Sequence, residues 1–259
     1  MKLNLKIWLD YFERNARSPA HVPWREPEVL SYAEKTRISR SVATFQLGES
    51  SEGKRLQQLA DNFGQSVGRP ELGAITRLFI KEEQHHATLL GRFMYTHGIA
   101  CKSRDWTDGV FRRLRRLANY ETLLSVLITA ELIALVYYRA LQQQSGSVVL
   151  RCICSKLLCD ERAHVEFEAS ILRCFHRQQS RIKSILLRRG HQLLFAGAVL
   201  VVNIEHRHVL HSGGYTFRKF WRSCWQEYHQ YLGQARLPAT RQPITNLARF
   251  SKIKPDNSL

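Results

Sequence analysis

Two short patterns in this chain place a carboxylate and an imidazole three residues apart: Glu83-x-x-His86 and Glu161-x-x-His164. On a helix that spacing sets both side chains on one face, where they can reach a common metal ion. Each pattern follows a segment in which a Glu interrupts an apolar stripe, Glu49 or Glu52 before the first and Glu131 before the second. A single Glu-x-x-His is common by chance, whereas two copies with matching upstream acids form a much rarer arrangement. An ionised carboxylate is costly in a core unless something compensates it. Two divalent cations would do so: four Glu supply four negative charges, two ions supply four positive charges, and two neutral His add nitrogen ligands without changing the balance. Mixed carboxylate and imidazole ligation suits iron or manganese. The six cysteines, at 101, 152, 154, 159, 174 and 224, form no pair of Cys-x-x-Cys motifs of the kind that holds structural zinc.

Four long predicted helices would position these groups. Ser31-x-x-Glu34 forms a capping box at the head of the first. Along it Ile38, Val42, Phe45, Glu49, Glu52, Leu56, Leu59 and Phe63 recur at spacings of three and four, which places both glutamates in one buried face. Gly64, Gly68 and Pro70 end that pattern. The second helix is predicted over about 71–97, with Phe79, Glu83, His86, Leu90 and Phe93 or Met94 inward. Glu82 and His85 are also three apart, and the apolar stripe decides for Glu83 and His86. The third carries Leu124, Ile128, Glu131, Leu135 and Tyr138 on one face, and Ser145-Gly146-Ser147 punctuates the chain after it. The fourth, about 148–177, turns Cys154, Leu157, Glu161, His164, Glu168 and Ile171 inward. The connections after the first and third are short; the middle one, with a polar stretch over 102–108, is long enough to cross a bundle. An amphipathic segment over 3–16 precedes this array, and two more helices, about 182–211 and 216–232, follow it. The tail from Pro238 has no periodicity and reads as extended or disordered.

With these residues the chain resembles the ferritin-like di-iron carboxylate superfamily, whose bundles bind metal through two single Glu and two Glu-x-x-His. The resemblance covers roughly residues 30–180 and rests on Gly48-Glu49-Ser50, Glu82-Glu83-Gln84-His85-His86-Ala87, Glu131 and Asp160-Glu161-Arg162-Ala163-His164-Val165. It implies an all-α fold: a ferritin-like four-helix bundle over 30–180, an N-terminal helical segment over 1–29 and a helical extension over 181–259. It implies six ligands, Glu49, Glu83, His86, Glu131, Glu161 and His164, and two iron ions, with manganese or a mixed pair compatible with the same ligands. Glu49 is preferred to Glu52 because Glu49-Ser50 followed by Leu56 and Ala60 looks like the first-helix pattern of rubrerythrins. Glu168 reads as an extra ligand, an outer acceptor or a solvent-facing residue. Tyr138 shares the face of Glu131, and some relatives use a nearby tyrosine for a radical or to limit access. The alternative is an aromatic whose hydroxyl finds a local partner. His206, His208 and His211 could approach the open end of the site, but their spacing does not put all three on one face. The implied function is an oxidoreductase that activates dioxygen to oxidise or hydroxylate a small organic substrate. Electrons would come from a separate donor, since no reductase-like or iron-sulfur segment is present. Iron oxidation and storage, or a nucleic-acid-associated role such as RNA hydroxylation, are the alternatives, and a homodimer is an expected assembly.

Composition bounds these readings. With 259 residues, 44% hydrophobic, and only 14 Gly and 7 Pro, the chain suits a helix-rich globular protein. No unbroken apolar run reaches the roughly 18 to 20 residues that span a bilayer. The longest candidate, 193–204, is followed by Glu205-His206-Arg207-His208 and reads as a core helix. No leader with a cleavage site is evident at the start, so a cytoplasmic protein with no membrane partner is expected. The net charge of +17, from 39 Lys and Arg against 22 Asp and Glu, could support weak, salt-sensitive nucleic-acid binding or be a solvated surface. It counts against iron storage, whose guiding surfaces are acidic. Its densest cluster, Arg112-Arg113-Leu114-Arg115-Arg116, reads as helix with the arginines outward. Cys152, Cys154 and Cys159, just ahead of Glu161, read as small hydrophobes of a buried helix.

Overall fold

Five helices begin where a side-chain oxygen accepts a hydrogen bond from the backbone N–H three residues on. Ser31, Asn119, Ser147, Ser180 and Thr216 accept from Glu34, Thr122, Leu150, Lys183 and Lys219. These caps open α2 (Tyr32–Glu49), α5 (Tyr120–Gln144), α6 (Val148–Gln178), α7 (Arg181–Glu205) and α9 (Phe217–Leu232). The others are α1 (Leu5–Arg17), α3 (Lys54–Ser66), α4 (Glu71–Thr96) and α8 (Arg207–Ser212). The computed structural model describes residues 4–18, 21–25, 29–50, 52–106, 109, 113 and 119–233, and no strand occurs among them. The fold is all-α. The tail from Pro238 and, apart from Arg113, the arginine cluster at 112–116 lie outside the described residues.

The helices pack as a bundle around one hydrophobic core. α5 lies along α6, and α4 packs on α1, α2 and α3. α5 is buried over most of its length, with Leu124, Ile128, Leu132, Leu135 and Leu141 in the core. α1 contributes Leu5, Trp8, Tyr11 and Phe12 to the same core, and the extension contributes Phe195, Val199, Phe220 and Tyr228. The turn between α8 and α9 is pressed against α5. A Cβ at Gly213 would lie 2.3 Å from the Ala140 carbonyl oxygen, so only glycine fits that approach.

Three sequence expectations change here. The helix expected to run unbroken from Ser31 to Phe63 is two, because Gly53 adopts a left-handed φ of 64° and starts α3 in a new direction. A Cβ there would also sit 2.7 Å from the Ile80 side chain on α4. The three-and-four spacing continues through this turn, which is why Glu52 read as buried; its side chain is 74% exposed and pairs with Lys54 at 2.6 Å. The extension over 182–211 is likewise broken, at His206 between α7 and α8. The run 193–204 is not a core helix: Phe195, Ala198 and Val199 are buried, whereas Leu193, Leu200 and Ile204 face solvent. Although no unbroken run is long enough, α5 and α7 are both long and apolar enough overall to cross a bilayer. α5 satisfies that test as a buried core helix, while less than a fifth of the apolar window of α7 is buried.

α7 is fastened to α5 through a buried histidine. Thr129 Oγ1 donates to the Ser125 carbonyl, so at 2.9 Å it accepts from His191 Nε2, whose ring packs 5.4 Å from Tyr228. Burial pushes the His191 pKa down to about 4, with a smaller opposing contribution from the Ser125 backbone. The folded state therefore holds this ring neutral, while the unfolded chain takes up the proton near pH 6.5. Stability from this group is present above pH 6.5 and lost as pH falls toward 4, at up to about 1.4 kcal/mol per pH unit. Urea unfolding at pH 7 and pH 5 checks this: the His191→Gln variant should lose less stability between the two pH values than the parent.

Candidate metal centre

The six residues expected from spacing meet in the core between α2, α4, α5 and α6. They form two overlapping groups, Glu49 with Glu83, His86 and Glu161, and Glu131 with Glu83, Glu161 and His164. Within each group the potential ligand atoms all lie within 4.8 Å of one another. Glu83 and Glu161 belong to both. His86 Nδ1 is 3.9 Å from Glu49, 3.7 Å from Glu83 and 3.5 Å from Glu161. His164 Nδ1 is 2.9 Å from Glu83 and 3.5 Å from Glu161. The two rings are 5.6 Å apart, and both histidines are fully buried.

The free atoms of this cluster point to what it could hold. Glu83 Oε1, His86 Nδ1, Glu131 Oε2, Glu161 Oε2 and His164 Nδ1 are buried without an aligned hydrogen-bond partner. Buried polar atoms are normally satisfied, and this converging set of unsatisfied oxygens and nitrogens could hold a cation. Carboxylate oxygens with two imidazole nitrogens and no thiolate are donor types that several divalent metals accept. The donor set thus fits a buried metal.

An outer layer orients the two imidazoles, and its pattern is reciprocal. Asp160, the residue before Glu161, takes His86 Nε2 at 2.9 Å; Glu82, the residue before Glu83, takes His164 Nε2 at 2.7 Å. Each Glu-x-x-His motif therefore supplies the carboxylate that fixes the ring of the other, leaving Nδ1 turned inward in both. Asn15 of α1 donates to both Glu82 and Asp160, while Lys156 bonds Asn15 at 2.9 Å and Asp160 at 2.7 Å. Phe12 stacks on the His164 ring at 5.8 Å and closes this end of the cluster. The Glu82 and His85 register competes with Glu83 and His86 in sequence; in the fold Glu82 lies behind the cluster and His85 is half-buried outside it.

The protonation of the cluster follows from burial and crowding. Burial raises Glu49 well above the usual carboxylate range, and the neighbouring Glu83 and Glu161 raise it further. Glu131 is raised by burial and then by Glu168 and Glu161. Burial opposes charge on His86 and His164, but the carboxylates against them outweigh it and hold both rings well above the usual range. Asp160 moves the other way: burial raises it, and His86 and Lys156 more than offset this.

Other sequence-selected residues separate clearly. Glu52 is outside the cluster and exposed. Glu168 is buried beside Glu131, so its solvent-facing reading is wrong; it belongs to neither ligand group, and burial pushes its carboxyl well up. Tyr138 Oη donates to Glu49 Oε1 at 2.5 Å. Of the three extension histidines, His206 comes close to the site and the other two stay exposed. His206 is buried, bonds Ser41 at 2.8 Å, and lines a cavity of about 150 Å³ opening onto the cluster. Asn15, Lys156 and the orienting roles of Glu82 and Asp160 were not anticipated from sequence. Only the repeated acid before each ligand Glu could have signalled them.

Comparisons of the chain with models of known protein families, with curated proteins and with solved structures gave no match. The chemical reading therefore stands on the cluster itself.

Removing an outer carboxylate should loosen a ring without removing an inner donor. Asp160→Ala should weaken ferrous iron binding about 10- to 100-fold, the usual effect of losing such a support, while Glu52→Ala should leave it unchanged. Anaerobic titration with ferrous iron measures both. Equal losses in the two variants would contradict the assignment.

Proposed function

We propose that this chain is a ferritin-like di-iron carboxylate oxidoreductase that uses dioxygen to oxidise or hydroxylate a small organic substrate. The observation that carries this reading is the pair of buried ligand groups sharing Glu83 and Glu161, with an apolar cavity against them. Two shared carboxylates favour a dinuclear centre over two independent ions. Glu49 and His86 would hold one ion, Glu131 and His164 the other, with Glu83 and Glu161 common to both. When bound, two such ions supply electrons to dioxygen and Lewis acidity for its reduction. Mn or a mixed Mn/Fe pair would use the same donors.

The chain's own residues provide the remaining functions. Phe45, Leu127, Ile133, Val201 and Val202 line the cavity along with Glu49, Glu83, Glu131 and Glu161, so an apolar group can lie against the acids while water is excluded. Among the described residues no Lys or Arg lines it despite the +17 charge, which favours an uncharged substrate group over a phosphate or carboxylate. Tyr138 keeps its proton on Oη, since burial and the adjacent Glu49 raise its pKa, and donates it in a hydrogen bond that orients the Glu49 carboxylate. Hydroxylation by this route consumes one dioxygen and two protons, with two electrons from the substrate and two from a separate donor. Dioxygen yields one substrate hydroxyl and one water.

Anaerobic reconstitution should give two ferrous ions per chain, with oxidation visible in the optical spectrum on admitting air. Glu83→Ala and Glu161→Ala should lower the stoichiometry most, because each removes a donor from both groups. Retention of the full metal complement by either variant would overturn the dinuclear reading. Ala134→Trp, which fills the cavity, should keep two ions and oxygen consumption while losing substrate oxidation by at least about tenfold, the effect of blocked positioning. Product analysis with a panel of small aromatic and aliphatic compounds checks this.

A further inference from the structure

The outward face of α7 differs from the rest of this strongly basic surface. Leu186, Leu193, Leu200 and Ile204 are 66%, 76%, 43% and 64% exposed. Between them stand Gly190 and Gly197, where an added Cβ would meet nothing within 4 Å. The six residues follow one another at spacings of four, three, four, three and four, a seam about 27 Å long at 1.5 Å per residue. From Gly190 to Ile204 the helix carries no Lys, Arg, Asp or Glu. A contiguous apolar surface of this extent marks an interaction site.

We propose that this seam pairs with the same seam of a second copy of the chain, antiparallel, about a two-fold axis that crosses the outward face of α7 midway between Leu193 and Gly197. That axis sets Leu186 against Ile204, Gly190 against Leu200, and Leu193 against Gly197. Each inner leucine then enters a notch left by a glycine, and one set of residues serves both copies, as a two-fold interface requires. Charge favours the same arrangement. Arg181, Lys183, Arg188 and Arg189 crowd one end of α7, whereas at the other end Glu205 is paired with Arg40 of its own chain at 2.7 Å, so antiparallel pairing keeps the two basic ends apart and opposes the helix dipoles. A parallel pair would stack leucine on leucine, leave glycine against glycine, and bring the arginines of two basic chains together. An anionic bilayer could accept a basic amphipathic helix. It has no use for notches, however, and each glycine costs a helix about 1 kcal/mol relative to alanine. Val201 and Val202, which line the cavity, follow Leu200 directly, so pairing sets that wall of the cavity next to the interface.

This inference stands on the surface of α7 and does not depend on the metal reading. Sedimentation of the full chain at micromolar concentration should give a mass twice that of one chain. Gly197→Leu has room in the single chain and improves helix propensity, so circular dichroism and ferrous iron stoichiometry should be retained. Association should weaken at least about tenfold, because the new side chain meets Leu193 across the axis. Adding Leu193→Gly to that variant exchanges knob and notch and should restore association. A wild-type chain that stays single overturns the proposal, as does association indifferent to Gly197→Leu. So does α7-dependent binding to vesicles of anionic phospholipid without dimer formation. A double variant as weak as the single one overturns the antiparallel register.

Discussion

Carboxylates inside a helical core constrain this molecule more than any other feature. Glu49, Glu131, Asp160, Glu161 and Glu168 are all buried, and Glu83 lies among them. Unpaired, such charges would cost several kcal/mol each even after relaxation. In the metal-free chain the compensation comes from protons and one lysine. Both imidazoles are held in the charged form, Glu49, Glu131 and Glu168 are pushed toward the neutral form, and Lys156 sits on Asp160. A cation entering the cluster would displace protons from the groups that bind it. The same acids that protons and Lys156 balance could instead be balanced by a bound cation.

The inner donors were legible in sequence because they obey helical periodicity. Glu83, His86, Glu161 and His164 fall on the apolar stripe of α4 and α6, and Glu131 falls on that of α5; a stripe fixes direction as well as burial. Glu49 against Glu52 could not be decided that way, since both fit the spacing and only the left-handed turn at Gly53 separates them. The outer layer was illegible for a different reason. Asn15 is a polar residue on an amphipathic helix, and nothing local shows that α1 packs on α4 and turns it toward Glu82 and Asp160. His206 depends likewise on where the chain breaks between α7 and α8.

Hydrophobicity alone misled at α7. A run that is apolar almost all round reads as buried, since that is where such helices usually lie. The fold uses only one side of it, with Phe195, Ala198 and Val199 against the core and the leucine and glycine positions left outside. α5 passes the same hydropathy test and is buried on nearly all sides. The difference lies in the number of neighbouring helices, which periodicity within one helix does not encode.

The cluster has two unlike ends, and this asymmetry orders its chemistry. On the α1 side Phe12 covers the His164 ring, and Asn15, Lys156, Glu82 and Asp160 form a bonded polar layer behind both imidazoles. On the opposite side, between α2, α5 and α7, the wall is apolar and the cavity reaches Glu49, Glu83, Glu131 and Glu161 but neither histidine. A rigid, hydrogen-bonded back holds ring orientation, which a metal site needs to keep its geometry. The open face presents carboxylates, whereas the two rings are held from behind by Asp160 and Glu82. Under the proposed oxidase reading, an apolar group entering this cavity would meet the carboxylates first, with the two histidines behind them.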